Sequence, residues 1–152
     1  MDKIKKILYP IIVIIQTILW IGVIAIQYLT NKKAGVMHHV YFRKYQYSNS
    51  ISIENLNILS IIALIISLVF FIWFIYSIKA KKSGFYKIQT IITSIMAIIL
   101  ILVIKLTFFQ NLLAYYYFIM IGIIVLVIQI LWNVIIAIKY KKQKKQIILV
   151  FN

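Results

Sequence analysis

Four long apolar runs, each bounded by polar or basic residues, dominate the pattern of this 152-residue chain. They occupy about residues 7–27, 58–78, 88–108 and 112–138 and are made mostly of Ile, Leu, Val and Phe. Each has about the length a helix needs to cross a hydrocarbon core of roughly 30 Å. The pattern therefore predicts an all-α integral membrane protein, a four-transmembrane-helix bundle forming one domain over residues 1–152, paired as two hairpins. A basic start followed by apolar residues also describes a signal peptide, but an h-region is about 7 to 15 residues long and this run is longer. It is read as the first span, with Pro10 in its first turn, where a missing N–H breaks no helical bond.

The one sizeable stretch between spans is residues 31–57. Within it Met37, Val40, Tyr41 and Tyr45 recur at roughly helical spacing, with Phe42 off the pattern. A short helix over 37–45 lying on a membrane face follows. The alternation of Ser50, Ile51, Ser52, Ile53 and Glu54 reads as extended backbone, with Asn57 as a cap for the second span. The connector at 79–87 is short, and Phe109, Gln110 and Asn111 read as a tight turn.

Polar residues inside the spans are few and form stripes. Gln16, Trp20, Val23 and Gln27 recur at steps of four, three and four in the first span, and Gln129, Asn133 and Ala137 at steps of four in the last. Each set shares one helix face. Counted inward from the ends, Gln16 and Gln129 fall at a similar depth, so the two stripes are expected to face each other. Gln16, Gln129 and Asn133 are then a helix contact or, in the alternative, the lining of a polar path. Ser60, Ala63 and Ser67 align in the second span and Thr90, Ser94 and Ala97 in the third, small faces that let backbones approach closely.

Charge supplies orientation. The net charge is +15, yet the basic residues sit in short clusters at the ends of apolar runs rather than on one footprint, so nucleic acid is not the expected partner. Lysines are dense at the start, the middle connector and the tail, and absent from the turn at 109–111. By the positive-inside rule both termini are cytoplasmic (N-in, C-in) and the longer loop 31–57 is extracytoplasmic. Tyr9, Tyr28 and Tyr115 to Tyr117 suit an interfacial aromatic belt. In the basic tail, residues 139–152, Lys139, Lys141, Lys142, Lys144 and Lys145 are placed to contact anionic lipid headgroups. Lys105, about one turn from the outer end of the third span, can snorkel its ammonium to the same groups.

With 64% hydrophobic residues and 12% charged, the chain exceeds the apolar share of an ordinary soluble domain. It has no cysteine, and its proton-exchanging side chains near neutrality are Asp2, Glu54, His38 and His39, none inside a predicted span. No metalloprotease pattern, embedded Ser and His pair, intramembrane carboxylate or Gly-rich phosphate loop is present. Adjacent His38 and His39 point about 100° apart on a helix, a poor geometry for one metal. Neither enzymatic activity nor a cofactor or metal is expected.

What is left for recognition is the aromatic, basic surface of Met37, His38, His39, Tyr41, Phe42, Arg43, Lys44 and Tyr45. Aromatics and Arg are enriched at interfaces. The expected role is contact with lipid, a membrane protein partner or a second copy of the chain, as an accessory subunit or as protection against a membrane-active peptide. A small oligomeric transporter or channel is the alternative. Richness in Ile, Lys, Asn, Tyr and Phe points to an AT-rich genome and a bacterial cytoplasmic membrane.

Overall fold

The computed structural model describes the backbone of residues 2–80 and 82–151 and the side chains of residues 7–80 and 82–139. Among the described residues it is all helical: α1 (Asp2–Lys32), α2 (Ala34–Ser50), α3 (Ile53–Lys79), α4 (Gly84–Lys105), α5 (Thr107–Asn111) and α6 (Tyr115–Phe151). Four stretches are long and apolar enough to cross a membrane, Ile7–Lys32, Ile53–Lys79, Gly84–Lys105 and Tyr115–Lys139. Ile-rich segments would favour strands in water, but in lipid every backbone N–H and C=O must be satisfied within the segment, and a helix does that locally. This is the architecture of a multi-pass membrane protein.

Among the described residues the spans approach one another in the order α3, α4, α6, α1, with no close approach of α1 to α3, so the bundle is open on that side. Burial follows this order. In the apolar windows of α4 and α6, 44% of residues are buried, against 11% in α1 and 17% in α3. The core runs through Val23, Ala63, Ala97, Leu100, Val103, Ile119 and Leu126. A second cluster of Tyr86, Trp132 and Ile136, with Tyr9 and Phe85 against it, lies towards the end that carries the termini. Close approach is built from small residues. Ser60, Ala63 and Ser67 are buried on α3 opposite buried Thr90, Ser94 and Ala97 on α4. Between α4 and α6, a Cβ added to Gly122 would come within 2.9 Å of Leu100 Cδ1.

Several boundaries differ from the sequence reading. Pro10 lies inside α1 rather than in its first turn, because the helix already starts at Asp2. Within the stretch 48–54, expected to be extended, Ile51 and Ser52 alone are so: Ser48 to Ser50 complete α2, and α3 begins at Ile53. Ser52, not Asn57, caps α3, its hydroxyl accepting from the Asn55 N–H at 3.2 Å. The alternating Ser and Ile residues reflect this cap and the turn before it, since Ser is a strong N-cap and competes with strand pairing. α4 ends at Lys105, and Phe109, Gln110 and Asn111, read as a tight turn, instead complete the short helix α5, with the turn into α6 at 112–114. α6 runs on to Phe151, 37 residues or about 55 Å, so the backbone of the basic tail continues the last span instead of forming a separate segment. The side chains of Lys141, Lys142, Lys144 and Lys145 lie outside the described residues, whereas Lys139 is half-buried.

Candidate functional site

Inside the bundle, the amides of the α1 and α6 stripes meet. Gln16 Nε2 donates to Gln129 Oε1 at 3.0 Å, and Gln129 Nε2 donates in turn to Gln89 Oε1 at 3.0 Å. Asn133, one turn further along α6, donates from Nδ2 to the hydroxyl of Thr93, to the Gln129 carbonyl at 3.1 Å and to the Gln89 carbonyl at 3.3 Å. Thr93 donates back to the Gln89 carbonyl at 2.9 Å. All five side chains are buried, and three helices are tied through them. Gln89 Nε2 and the neighbouring Trp132 Nε1 are buried N–H donors without a protein partner. Amides and hydroxyls carry no charge near neutral pH, so what this cluster offers is hydrogen bonding between three helices.

Gln89 and Thr93 did not emerge from the sequence reading. The signal was present: Gln89–Thr93 repeats at a step of four directly beside Thr90–Ser94. Two adjacent polar stripes on one helix mean two buried faces, which identifies a central helix. α4 is that helix, with Ser94 and Ser67 sharing a hydroxyl contact at 3.1 Å on its other side. Further along the α1 stripe, Gln27 Oε1 accepts from the Ala114 N–H at 3.0 Å and so satisfies an orphan donor at the start of α6.

At the opposite end from the termini, Lys33 is extended and breaks α1 from α2. α2 packs on α1 and on α6. Its inward face is Val36, Val40, Lys44 and Tyr47, with Tyr47 against the rings of Tyr116 and Tyr117 at 5.8 and 6.4 Å. This differs from the face expected from the sequence: of Met37, Val40, Tyr41 and Tyr45, Val40 alone is buried. The reason is the bundle end, an aromatic surface that α2 can cover with any apolar stripe. Tyr41, Phe42 and Tyr45 remain 58%, 62% and 61% exposed, and Met37, His38 and His39 are exposed beside them.

The two basic residues of the expected recognition surface turn elsewhere. Arg43 donates to Gln46 Oε1 at 2.8 Å within α2. Lys44 reaches beneath the helix to the carbonyls of Gln110 and Leu112 at 3.0 and 2.9 Å, and burial pushes its pKa below the usual lysine value. Lys105, at the last turn of α4, donates to Asn57 Oδ1 at 2.7 Å. Near the other end Lys82 stands over the rings of Tyr76 and Tyr86, at 5.2 and 4.6 Å, and burial lowers its pKa as well. Among the described residues no three of His, Asp and Glu come together.

No protein-family model, curated protein or solved structure matches this chain.

Proposed function

We propose that the chain is a non-enzymatic membrane protein that works by contact, with α2 as its contact element, N-in and C-in in a bacterial cytoplasmic membrane. The observation that carries this reading is the two-sidedness of α2. One face is pinned to the bundle by Val40, Lys44 and Tyr47, while three aromatic rings on the other stay more than half exposed. A helix anchored in this way presents its rings with little ordering entropy left to lose on binding, the condition under which aromatic anchors become hot spots. The partner is a membrane protein or a membrane-active peptide; anionic lipid meets the Lys139 to Lys145 cluster at the cytoplasmic side.

The test replaces Tyr41, Phe42 and Tyr45 together by Ser. Partner recovery in mild detergent, or survival under challenge with a membrane-active peptide, should fall to background while the detergent-solubilised chain keeps its thermal transition. Full retention of partner and protection in the triple variant would overturn the proposal.

The transporter alternative draws on the unpartnered Gln89 N–H inside a cluster that joins three helices. A path must be polar at successive depths. The cluster covers about one helical turn, and beyond it towards the α2 end Val23, Ala97, Leu100, Val103, Val125 and Leu126 separate it from the next polar contact, Gln27 on the Ala114 N–H. Its depth therefore favours helix contact. Loss of solute flux in vesicles on Gln129→Leu, with the α2 triple variant fully active, would reverse the order of the two readings.

A further inference from the structure

Lys44 and Lys105 line one recess of about 340 Å³ at the α2 end, together with Leu56, Asn57, Gln110 and Tyr116. Its volume falls in the range of small-ligand sites, roughly 300–1,000 Å³. Among the described residues both ammonium groups are held by neutral acceptors, two carbonyls for Lys44 and the Asn57 amide oxygen for Lys105. No carboxylate lines the recess. A half-buried Lys44 and an exposed Lys105 thus present two positive charges to one recess without a counter-charge among its described lining residues, an arrangement that favours an anion. An ammonium has three N–H donors. After the bonds above, Lys44 retains one and Lys105 two.

We propose that this recess binds a single phosphate group, as part of an anionic lipid headgroup or as a free phosphate, between Lys44 of α2 and Lys105 of α4. The bound group would join α2 to the end of the bundle, since one of its two lysines comes from each. The proposal is independent of what covers the outer face of α2.

The test is native mass spectrometry of the full chain from micelles holding equal amounts of phosphatidylglycerol and phosphatidylcholine, with Lys139, Lys141, Lys142, Lys144 and Lys145 replaced by Gln in every chain compared, the wild-type recess included, so that the tail holds no anionic lipid of its own. The wild-type recess should retain phosphatidylglycerol preferentially. Lys44→Gln and Lys105→Gln should each lower that retention about tenfold, the loss of one charge-assisted hydrogen bond. Lys32→Gln is the matched control, lying at the same end but over the Tyr28 ring at 4.8 Å, outside the recess. Displacement of the lipid by millimolar inorganic phosphate would assign the site to the phosphate group itself; resistance to displacement would assign it to the whole headgroup. Lys44→Arg and Lys105→Arg keep the charge and should keep the lipid. The proposal is overturned if the wild-type recess shows no preference for the anionic lipid, if Lys32→Gln loses as much as the recess variants, or if the Arg variants lose as much as the Gln variants.

Discussion

Gln129 accepts from one helix and donates to another, so its removal costs more than its own bonds. Gln129→Leu would leave Gln16 Nε2 and Gln89 Oε1 without their partners in a buried site. Interhelical amide bonds in membranes average about 0.6 kcal/mol and reach ~1.7. Losing two is expected to cost about 1–3 kcal/mol, seen as a lower melting temperature in detergent. Gln89→Leu should cost less, because its Nε2 already lacks a partner. Equal shifts for the two variants would contradict this account. At Lys82 the sign of a pH effect can be worked out. Its pKa is lowered in the folded chain, so between that value and the unfolded value the unfolded chain binds more protons, and stability rises with pH. The rise belongs to the alkaline range just below the unfolded lysine value of about 10.4. Lys82→Met should flatten the stability profile there relative to wild type; a parallel profile would show that Lys82 contributes nothing.

At the scale of elements, the α3–α4 hairpin depends on smallness. Ser67 and Ser94 donate to each other's carbonyls at 3.4 and 3.1 Å, a distance that leaves no room for a larger side chain. Ser67→Ala should be tolerated, whereas Ser67→Leu forces the helices apart and should lower the melting temperature by several degrees, an overpacking cost of about 1–3 kcal/mol. The α4–α6 contact gives a parallel case at Gly122. Ala there needs a small movement of the end of the Leu100 side chain, and its better helix propensity offsets that by up to about 1 kcal/mol. Gly122→Leu has no such compensation and should reduce the yield of folded, monodisperse protein. If both Gly122 variants behave alike, the close approach is not a constraint. α2 shows how an element can be specified from outside itself. Its own polar and apolar residues are weakly segregated, and its orientation comes from Lys44 on the α5–α6 carbonyls and Tyr47 on the tyrosines of α6.

For the whole molecule the decisive measurement is orientation. Ser50, at the end of α2, and Ser83, between α3 and α4, are exposed at opposite ends of the bundle. Since the chain has no cysteine, Ser50→Cys and Ser83→Cys each introduce one reporter. An impermeant thiol reagent applied to intact cells should label position 50 and spare position 83. The reverse pattern would put α2 inside and remove the basis for an extracytoplasmic partner. The thin burial of α1 and α3 also matters at this scale, because it leaves apolar residues such as Ile14, Ile18, Ile61 and Ile65 to lipid or to a second copy.

The sequence by itself determined the class, the number of apolar helices and which faces carry the polar stripes. Those follow from local physics: hydrocarbon demands internally satisfied backbone, and a step of three or four places Gln16, Val23 and Gln27 together whatever surrounds them. Even the small faces of α3 and α4 are local patterns. Tertiary structure decided what no single window contains. Whether α4 is central depends on two partners arriving at its two stripes, which brought Gln89 and Thr93 into the amide cluster. The fate of 31–57 was settled by the end of the bundle, where a surface of tyrosines and unsatisfied carbonyls makes a helix of Ala34–Ser50 more favourable than a wet linker and turns Lys44 inward while leaving Tyr41, Phe42 and Tyr45 outside. Lys44 and Lys105 are 61 positions apart in the chain, and their shared recess exists because α2 folds back over the turn that follows α4.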